Sequence, residues 1–259
     1  MDKRNIMITA ALLSVLLLAG CTSGEPTPGI TDPAPAQTEE TPAAPAAPTP
    51  GLTIDDFIVD DTHDAFLVDT GGSLGRLWVM VDKVEEGLEF SVWNAENRTK
   101  PCQTFTTEGF DMSHFSLVAD ANFDGYPDFG YACSVGAANN YYQFWLWDEE
   151  QGLFVEAPEL ADVCSPQFDE ETQTISAYTH KSAMSGVTSL YRWEDGKLVC
   201  IRQIDIRYPS EDGIQELVVS ERIDGTLTEV YRTSFSWDTD AIFKEAERWQ
   251  DLGYHGEDQ

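Results

Sequence analysis

Basic residues are scarce in this chain of 259 residues. It contains 15 Lys and Arg against 46 Asp and Glu, which gives a formal net charge of −31 at pH 7. A surface of this sign repels phosphate groups, so nucleic acid and anionic lipid headgroups are excluded as preferred partners. Cations and basic proteins are the partners that this charge favours.

Long apolar runs are also rare. The one clear run, Ile6–Leu18, follows Lys3 and Arg4 and ends before small residues. It is shorter than the roughly 20 residues that span a bilayer. It therefore indicates a cleaved signal peptide, residues 1–20, rather than a membrane-spanning helix. We expect everything after it to be extracytoplasmic.

The signal peptide leads into a short motif, Leu18-Ala19-Gly20-Cys21. This motif resembles the lipobox that lipoprotein signal peptidase reads. The resemblance implies lipidation of the Cys21 sulfur, with acyl chains such as palmitate that anchor the protein to a lipid bilayer at the extracytoplasmic face of the cell membrane. An ordinary signal peptide followed by a chance cysteine is the alternative.

Large apolar side chains are almost absent from residues 21–52, which are rich in Pro, Ala and Thr. Such a segment buries too little surface to offset the entropy lost on ordering it. We predict a disordered spacer between the lipidated Cys21 and one domain, residues 53–259, which is long enough to form a sizeable core.

Closely spaced cysteine pairs are missing. No Cys-x-x-Cys sequence occurs, so zinc or thioredoxin-like chemistry has no support. Outside the cytoplasm, the even number of cysteines that remains after Cys21 is compatible with two disulfides in any of three connectivities. The possible partners are Cys102, Cys133, Cys164 and Cys200.

Helical periodicity is confined to the C-terminal end. A cap at Asp238 or Asp240 and a stop at Gly253 enclose one apolar face. That face contains Ile242, Ala246 and Trp249. The rest of the domain has short runs of aromatic and β-branched residues between Gly, Asp and Asn, a pattern typical of strands. The clearest strands are residues 65–68, 75–81, 88–93 and 142–147.

A weak internal echo occurs in residues 146–154, 191–199 and 222–228. Each segment has an apolar or aromatic strand, an acidic turn with Gly and a returning strand. Repeated hairpins favour a meander, a sandwich or a small propeller-like ring, and unrelated hairpins are the alternative. We predict an all-β fold of antiparallel hairpin repeats, propeller-like or meander, with a short C-terminal helix.

The sharpest local pattern is the acidic stretch at residues 120–128. Oxygen-bearing side chains recur at alternate positions, Gly125 permits a sharp turn, and Ca²⁺ is a hard cation that takes about six to eight oxygen ligands. The predicted ligands are Asp120, Asn122, Asp124, the backbone carbonyl of Tyr126, and Asp128, directly or through water. An Asx-rich turn without metal is the alternative.

This loop is not an EF-hand, because Tyr131 stands where an EF-hand has its bidentate Glu. It resembles the Asp-x-Asn-x-Asp-Gly-x-x-Asp loops of integrin-type (FG-GAP) repeats. Together with residues 100–105 and 144–155, it resembles a family of bacterial exported proteins with one such loop in a β-propeller-like fold. The family includes calcium-dependent lipoproteins that inhibit secreted lysozyme-like toxins. The resemblance covers about residues 75–200 and implies the fold and the calcium loop.

Aromatic residues are concentrated in one predicted strand, as Tyr141, Tyr142, Phe144, Trp145 and Trp147. They can anchor a protein interface or stack on a sugar. The period of two places Tyr142 with Phe144 on one face and Trp145 with Trp147 on the other, which favours core packing for most of them.

Two short segments match the sequence motifs of enzymes. Asp69-Thr70-Gly71 resembles the active-site turn of aspartic proteases, which need two aspartates that share a proton. No second Asp-Thr-Gly or Asp-Ser-Gly occurs. Residues 71–75 match Gly-x-Ser-x-Gly, but a strand-like segment follows where a nucleophile elbow requires a helix. A hairpin turn is favoured, and no catalytic residue is predicted.

The leading expectation is therefore a membrane-anchored, calcium-binding interaction protein rather than an enzyme. Its most concrete form is an inhibitor of a basic, lysozyme-like cell-wall hydrolase. Surface adhesion or glycan binding is the second hypothesis. An aspartic-type hydrolase that uses Asp69 is the third.

Overall fold

The computed structural model describes residues 51–71, 75–96, 99–236 and 240–255. The predicted signal peptide, the lipidation site Cys21, nearly all of the spacer and the alternative cap Asp238 lie outside these residues. No helix within the described ranges has the length and hydrophobicity needed to cross a membrane.

Three antiparallel sheets form the described structure. The first sheet contains β1 (His63–Asp69), β2 (Arg76–Val84), β3 (Gly87–Asn94) and β4 (Gln103–Glu108). The second contains β5 (Ser116–Ala119), β6 (Asp128–Val135), β7 (Asn140–Asp148) and β8 (Leu153–Glu156). The third contains β9 (Gln167–Asp169), β10 (Thr174–Ser182), β11 (Ser185–Glu194), β12 (Lys197–Ile206), β13 (Ile214–Ile223) and β14 (Thr226–Ser236).

Within each sheet, every strand lies beside the next strand in the chain. Each sheet is therefore a meander, and the all-β, antiparallel prediction is confirmed. The four strands predicted most clearly are β1, β2, β3 and β7, with ends that differ from the prediction by one to three residues. Two short 3₁₀ helices, Ile54–Asp56 and Pro158–Leu160, and one α-helix, α1 (Ala241–Arg248), complete the described elements.

The second sheet is covered on both faces. On one face, Trp145 lies 4.9 Å, centroid to centroid, from Phe90 of the first sheet, inside a cluster of buried apolar residues from both sheets. On the other face, Phe144 makes an edge contact at 5.6 Å with Phe168 of the third sheet. Neighbouring residues of β7 thus enter different cores, as the alternation of a strand requires.

The three echoing segments are all hairpins. They form the β7–β8, β11–β12 and β13–β14 connections. The last two turn through Asp195-Gly196 and Asp224-Gly225, in which both residues have positive φ, the backbone of a type I′ turn. Two of the three hairpins belong to the third sheet. The internal repeat therefore corresponds to individual hairpins and not to one repeated unit per sheet.

The C-terminal helix buries the predicted face. Ile242, Ala246 and Trp249 pack on β12 and β13 of the third sheet. Asp240 occupies the N-cap position, but its side chain makes no capping hydrogen bond. The predicted stop at Gly253 is wrong, because α1 ends at Arg248. Gly253 instead donates its N–H to Asp251 Oδ1 at 2.8 Å in the following turn.

The four cysteines of the domain stand as free thiols. Cys102 Sγ donates to the Val92 carbonyl, and Cys133 Sγ donates to the Tyr141 carbonyl. Cys164 is buried beside Ser165, and Cys200 lies on β12. The structure thus contains no disulfide among these described residues, and pairing remains a prediction from the sequence and the expected compartment.

Candidate metal centre

The acidic loop joins β5 to β6. It occupies Asp120–Pro127, between the edge strand β5 and β6, an internal strand of the second sheet. Phe123 has a φ of 60° and Gly125 a φ of 93°. Positive φ at Phe123 is unusual for a bulky residue, and its ring packs against the second apolar core. These two residues curl the backbone so that its side-chain oxygens face inward.

Three of the predicted ligands share the hydrogen bonds of this curl. The N–H of Asp124 lies 3.1 Å from both Asp120 Oδ1 and Asn122 Oδ1. Asp120 Oδ2 accepts the N–H of Gly125 at 2.8 Å. Asp124 in turn accepts the N–H of Tyr126 at 2.9 Å and an amide hydrogen of Asn122 at 2.8 Å. The loop thus gathers Asp120, Asn122 and Asp124 around one stretch of backbone.

Asp128 holds the other side of the loop and is fully buried, with 0% of its surface exposed. Its Oδ2 accepts the N–H of Ala121 at 2.7 Å, and its Oδ1 accepts the N–H of Trp147 at 2.7 Å. One carboxylate therefore ties the start of the loop to β7, which runs beside β6. Each of its oxygens keeps a second lone pair that can face a cation.

The charge of Asp128 is poorly stabilised. The pKa of this carboxyl is raised from 3.8 to about 7, first because burial disfavours its charged form and second because the carboxylates of Asp124 and Asp120 are near, and these effects outweigh its two backbone hydrogen bonds. A buried acid among other acids favours its neutral form unless a positive charge is close. Within the described residues, no Lys or Arg forms an ion pair with these three aspartates.

The donor set fits calcium. Carboxylate, amide and backbone oxygens are the ligands that Ca²⁺ prefers, and a flexible loop suits its variable geometry. Asp120, Asn122, Asp124 and Asp128 would supply side-chain oxygens, and Tyr126 would supply its carbonyl. Among the described residues, no three His, Cys, Asp or Glu side chains already meet in a metal-binding group. The loop carboxylates instead satisfy the N–H groups of the loop.

Two tryptophans that the sequence did not link to this loop position it. Trp147 supplies the N–H that binds Asp128 Oδ1. Trp193, on β11 of the third sheet, donates its indole N–H to the Ala121 carbonyl at 2.8 Å. This bond joins residues 72 positions apart, so no local sequence signal predicts it. The loop is thereby held by the second and third sheets together.

A groove of about 360 Å³ separates the loop from the β7–β8 turn. Asn122 and Asp124 line one side of it, and Asp148 and Glu149 line the other. Because both walls contribute carboxylates, the groove is strongly negative. A groove of this charge attracts cations and the basic side chains of other proteins.

The other sequence candidates lie elsewhere. Asp69 ends β1 and its Oδ1 accepts the N–H of Gly71, while Thr70 bonds the Gly75 carbonyl through both its N–H and its hydroxyl. This is the hairpin turn between β1 and β2 that the sequence favoured, with residues 72–74 outside the described ranges. On β7, Phe144, Trp145 and Trp147 are buried, which confirms core packing for them. Tyr141 and Tyr142 are half-buried.

No family model matches the sequence, and no curated protein matches it. A solved structure, described as a Xanthomonas type IV secretion system related protein, is 16% identical with a TM-score of 0.46 and aligns over 64% of this chain and 93% of its own. A eukaryotic initiation factor is 9% identical with a TM-score of 0.28, over 70% of this chain and 56% of its own. Neither likeness bears on what this chain does.

Proposed function

We propose that this protein is a calcium-binding interaction protein anchored to the extracytoplasmic face of a membrane, and that it inhibits a basic, lysozyme-like cell-wall hydrolase. The observation that supports calcium binding is the curl of the Asp120–Asp128 loop. There, Asp120 and Asn122 oxygens lie 3.1 Å from one N–H and thus close to each other. A loop that brings oxygens from alternate positions together in this way can place them around a small cation.

Calcium would act on the structure rather than on a substrate. The ion would offset the repulsion among Asp120, Asp124 and Asp128 and lock the end of β5 against β6 and β7. Because Trp193 holds the same loop from the third sheet, the bound ion would also stabilise the contact between two sheets. A rigid framework of this kind lowers the entropy cost when a partner protein binds.

The choice of partner rests on charge and on the family resemblance. With a net charge of −31, the protein attracts basic proteins at long range, which accelerates their association. The groove between Asp124 and Asp148 concentrates negative charge at one place on the surface, where a basic side chain would bind. The lipid anchor on Cys21 and the spacer to residue 52 would hold the domain where secreted cell-wall hydrolases act.

Calcium binding is tested by calorimetric titration and thermal melting of the full-length chain, with and without chelator. We expect one ion to bind. At a hundredfold excess over Kd, a native-state ligand adds about 2.7 kcal/mol of stability, which is roughly 5–10 °C in Tm for a domain of this size. Asp120→Ala/Asp124→Ala should abolish the heat and the shift.

A matched control is Glu170→Ala/Glu171→Ala, which removes the same charge from an exposed turn. It should bind calcium as the wild type does. If the wild type shows neither heat nor a shift in Tm, the loop is an Asx-rich turn and the calcium proposal is wrong. Equal loss in both double variants would mean that net charge alone attracts the ion.

Inhibition is tested separately, with a basic muramidase and a neutral or acidic glycosidase as the comparison enzyme. The protein in calcium should inhibit the muramidase alone, and chelator or Asp120→Ala/Asp124→Ala should release it. Rising salt should slow association, because steering by opposite charges is screened. Calcium binding without inhibition of any muramidase would leave the metal site in place and overturn the inhibitor function.

A further inference from the structure

A second cavity, of about 360 Å³, lies on the third sheet beside α1. Strands β10 and β11, the end of β12, α1, the turn between β6 and β7 and the segment before β9 supply its walls. Residues that line it include Gln167, Ser176, Tyr178, Thr188, Phe243 and Gln250. None of the described residues of the loop at 120–128 lines this cleft, so it is separate from the candidate metal centre.

The described lining of this cleft contains His180 and Tyr178 but no carboxylate, in a chain that is otherwise strongly acidic. No Asp, Glu, Lys or Arg is among the described residues that line it. Residues 129–147 and 172–193, which form two of its walls, contain no Asp or Glu, although the chain has 46 acidic residues. The two stretches are joined by Asn139, which exchanges two hydrogen bonds with the backbone of His180, at 3.0 and 2.9 Å.

Polar groups of the cleft are left available. Within the described part of the chain, the side chains of Gln167, Ser176, Thr188 and Gln250 form no hydrogen bond with the protein. Their hydroxyl and amide groups both donate and accept. Four such groups around one cleft are suited to a ligand that is itself rich in groups that donate and accept.

Two aromatic rings border the same space. Phe243 is 48% exposed, although it belongs to a helix whose other large apolar residues are buried. The hydroxyl end of the Tyr178 ring lies over Gly186, where a Cβ would come within 2.4 Å of the hydroxyl oxygen, and the ring makes an edge contact with His180 at 4.4 Å, centroid to centroid. The glycine thus makes room for the ring. Ala177 and Ile206 add apolar surface to the lining.

We propose that this cleft binds an uncharged sugar ring of an oligosaccharide. A pyranose has apolar C–H faces that stack on aromatic rings and hydroxyl groups at its rim, which match a cleft with Tyr178 and Phe243 and free amide and hydroxyl side chains. Acidic glycans are disfavoured by the charge of the whole protein. This site is independent of the calcium loop and of the proposed inhibition.

The test is calorimetric titration of the full-length chain with cellotetraose, chitotetraose and the anionic tetragalacturonate. We expect one or both neutral oligosaccharides to bind with a Kd of about 0.1–1 mM, and the anionic one not to bind. Binding of both would show that the plain ring suffices. Binding of chitotetraose alone would show that the site also uses the N-acetyl group, and either result supports the proposal.

Phe243→Ala should weaken binding by about tenfold or more, and Tyr178→Phe, which removes only a hydroxyl group, by about threefold. Tyr208→Ala is the matched control, since Tyr208 is an aromatic residue with 66% exposure outside the cleft. Melting curves of each variant check the fold. Asp120→Ala/Asp124→Ala should bind sugar as the wild type does, which separates this test from the calcium test.

Two results would overturn the site. One is no heat from either neutral oligosaccharide at up to about 10 mM. The other is binding that Phe243→Ala and Tyr208→Ala affect equally, because the sugar would then bind elsewhere on the surface. Equal binding of tetragalacturonate would also contradict the argument from charge.

Discussion

Two acidic turns lie on either side of one groove, and they shift the pKa of an aspartate in opposite directions. In the β7–β8 turn, Asp148 accepts hydrogen bonds from the backbone and the side chain of Gln151, which lower its pKa. In the β5–β6 loop, Asp128 also accepts two backbone N–H groups, yet its pKa is raised to about 7. Similar hydrogen bonds therefore accompany opposite shifts.

The difference is access to solvent. Asp148 keeps its charge in contact with water, so the hydrogen bonds decide its pKa. Asp128 is removed from water and faces Asp120 and Asp124, so desolvation and repulsion outweigh its hydrogen bonds. The β7–β8 turn needs no added cation to keep its carboxylate charged, whereas the proposed Ca²⁺ would stabilise the charged carboxylates of the β5–β6 loop. Acidic composition alone does not distinguish the two, but burial does.

The largest expected effect is on the pH dependence of stability without calcium. The pKa of Asp128 is about 7 in the folded protein and 3.8 in the unfolded chain, so the folded state binds more protons between these values. The stability that protonated Asp128 contributes to the folded state is complete below about pH 4 and is lost as the pH rises to about 7. The loss is on the order of 4 kcal/mol. Urea unfolding from pH 4 to pH 8 in chelator measures this loss.

The variant Asp128→Asn cannot titrate, so the difference between its stability curve and that of the wild type isolates this one group. Saturating calcium should flatten the difference, because the ion stabilises the charged carboxylate and displaces its proton. Parallel curves in chelator would mean that Asp128 behaves like Asp148, and the contrast between the two turns would fail.

The next largest effect is the change in the free energy of unfolding when one aspartate side chain is removed from each turn, measured in saturating calcium at pH 7. Asp128→Ala leaves the N–H groups of Ala121 and Trp147 without an acceptor and removes a ligand, which should cost about 2–4 kcal/mol. Asp148→Ala removes a solvated carboxylate and should change the free energy of unfolding little. Chemical denaturation of both variants compares them, and equal losses would contradict a special role for Asp128.

The sequence identified the features of this molecule that depend on near neighbours. Short runs of aromatic and β-branched residues between Gly, Asp and Asn predicted β1, β2, β3 and β7, and the i, i+4, i+7 spacing predicted the buried face of α1 at Ile242, Ala246 and Trp249. The hairpin turns of the third sheet at Asp-Gly could be predicted, because a type I′ turn needs positive φ at two successive residues and this requirement selects local residue types such as Asp-Gly.

What the sequence left open depends on tertiary packing. The partition of fourteen described strands into three sheets has no local signal. Within the loop at 120–128, the sequence predicted Asp128 as a calcium ligand but not as the buried link to Trp147, since burial is set by β7. The cleft beside α1 likewise draws Ser176 and Gln250 from distant segments.

The smallest expected effect tests whether the third sheet takes part in the proposed calcium binding. Trp193→Phe keeps an aromatic ring but removes the donor to the Ala121 carbonyl. Trp78→Phe is a close match, because the Trp78 indole donates to the Leu52 carbonyl at 3.1 Å and this half-buried residue lies away from the loop. Each variant should lose about 1 kcal/mol of stability.

Only Trp193→Phe should also reduce the rise in Tm that calcium causes, because a loop released from the third sheet is less well ordered for the ion. The reduction should be small, about threefold or less in Kd, which is below 1 kcal/mol. Thermal melting of both variants with and without calcium measures it. If the calcium shift is the same in both, the loop binds calcium through the second sheet alone, and the indole contact serves only the packing between sheets.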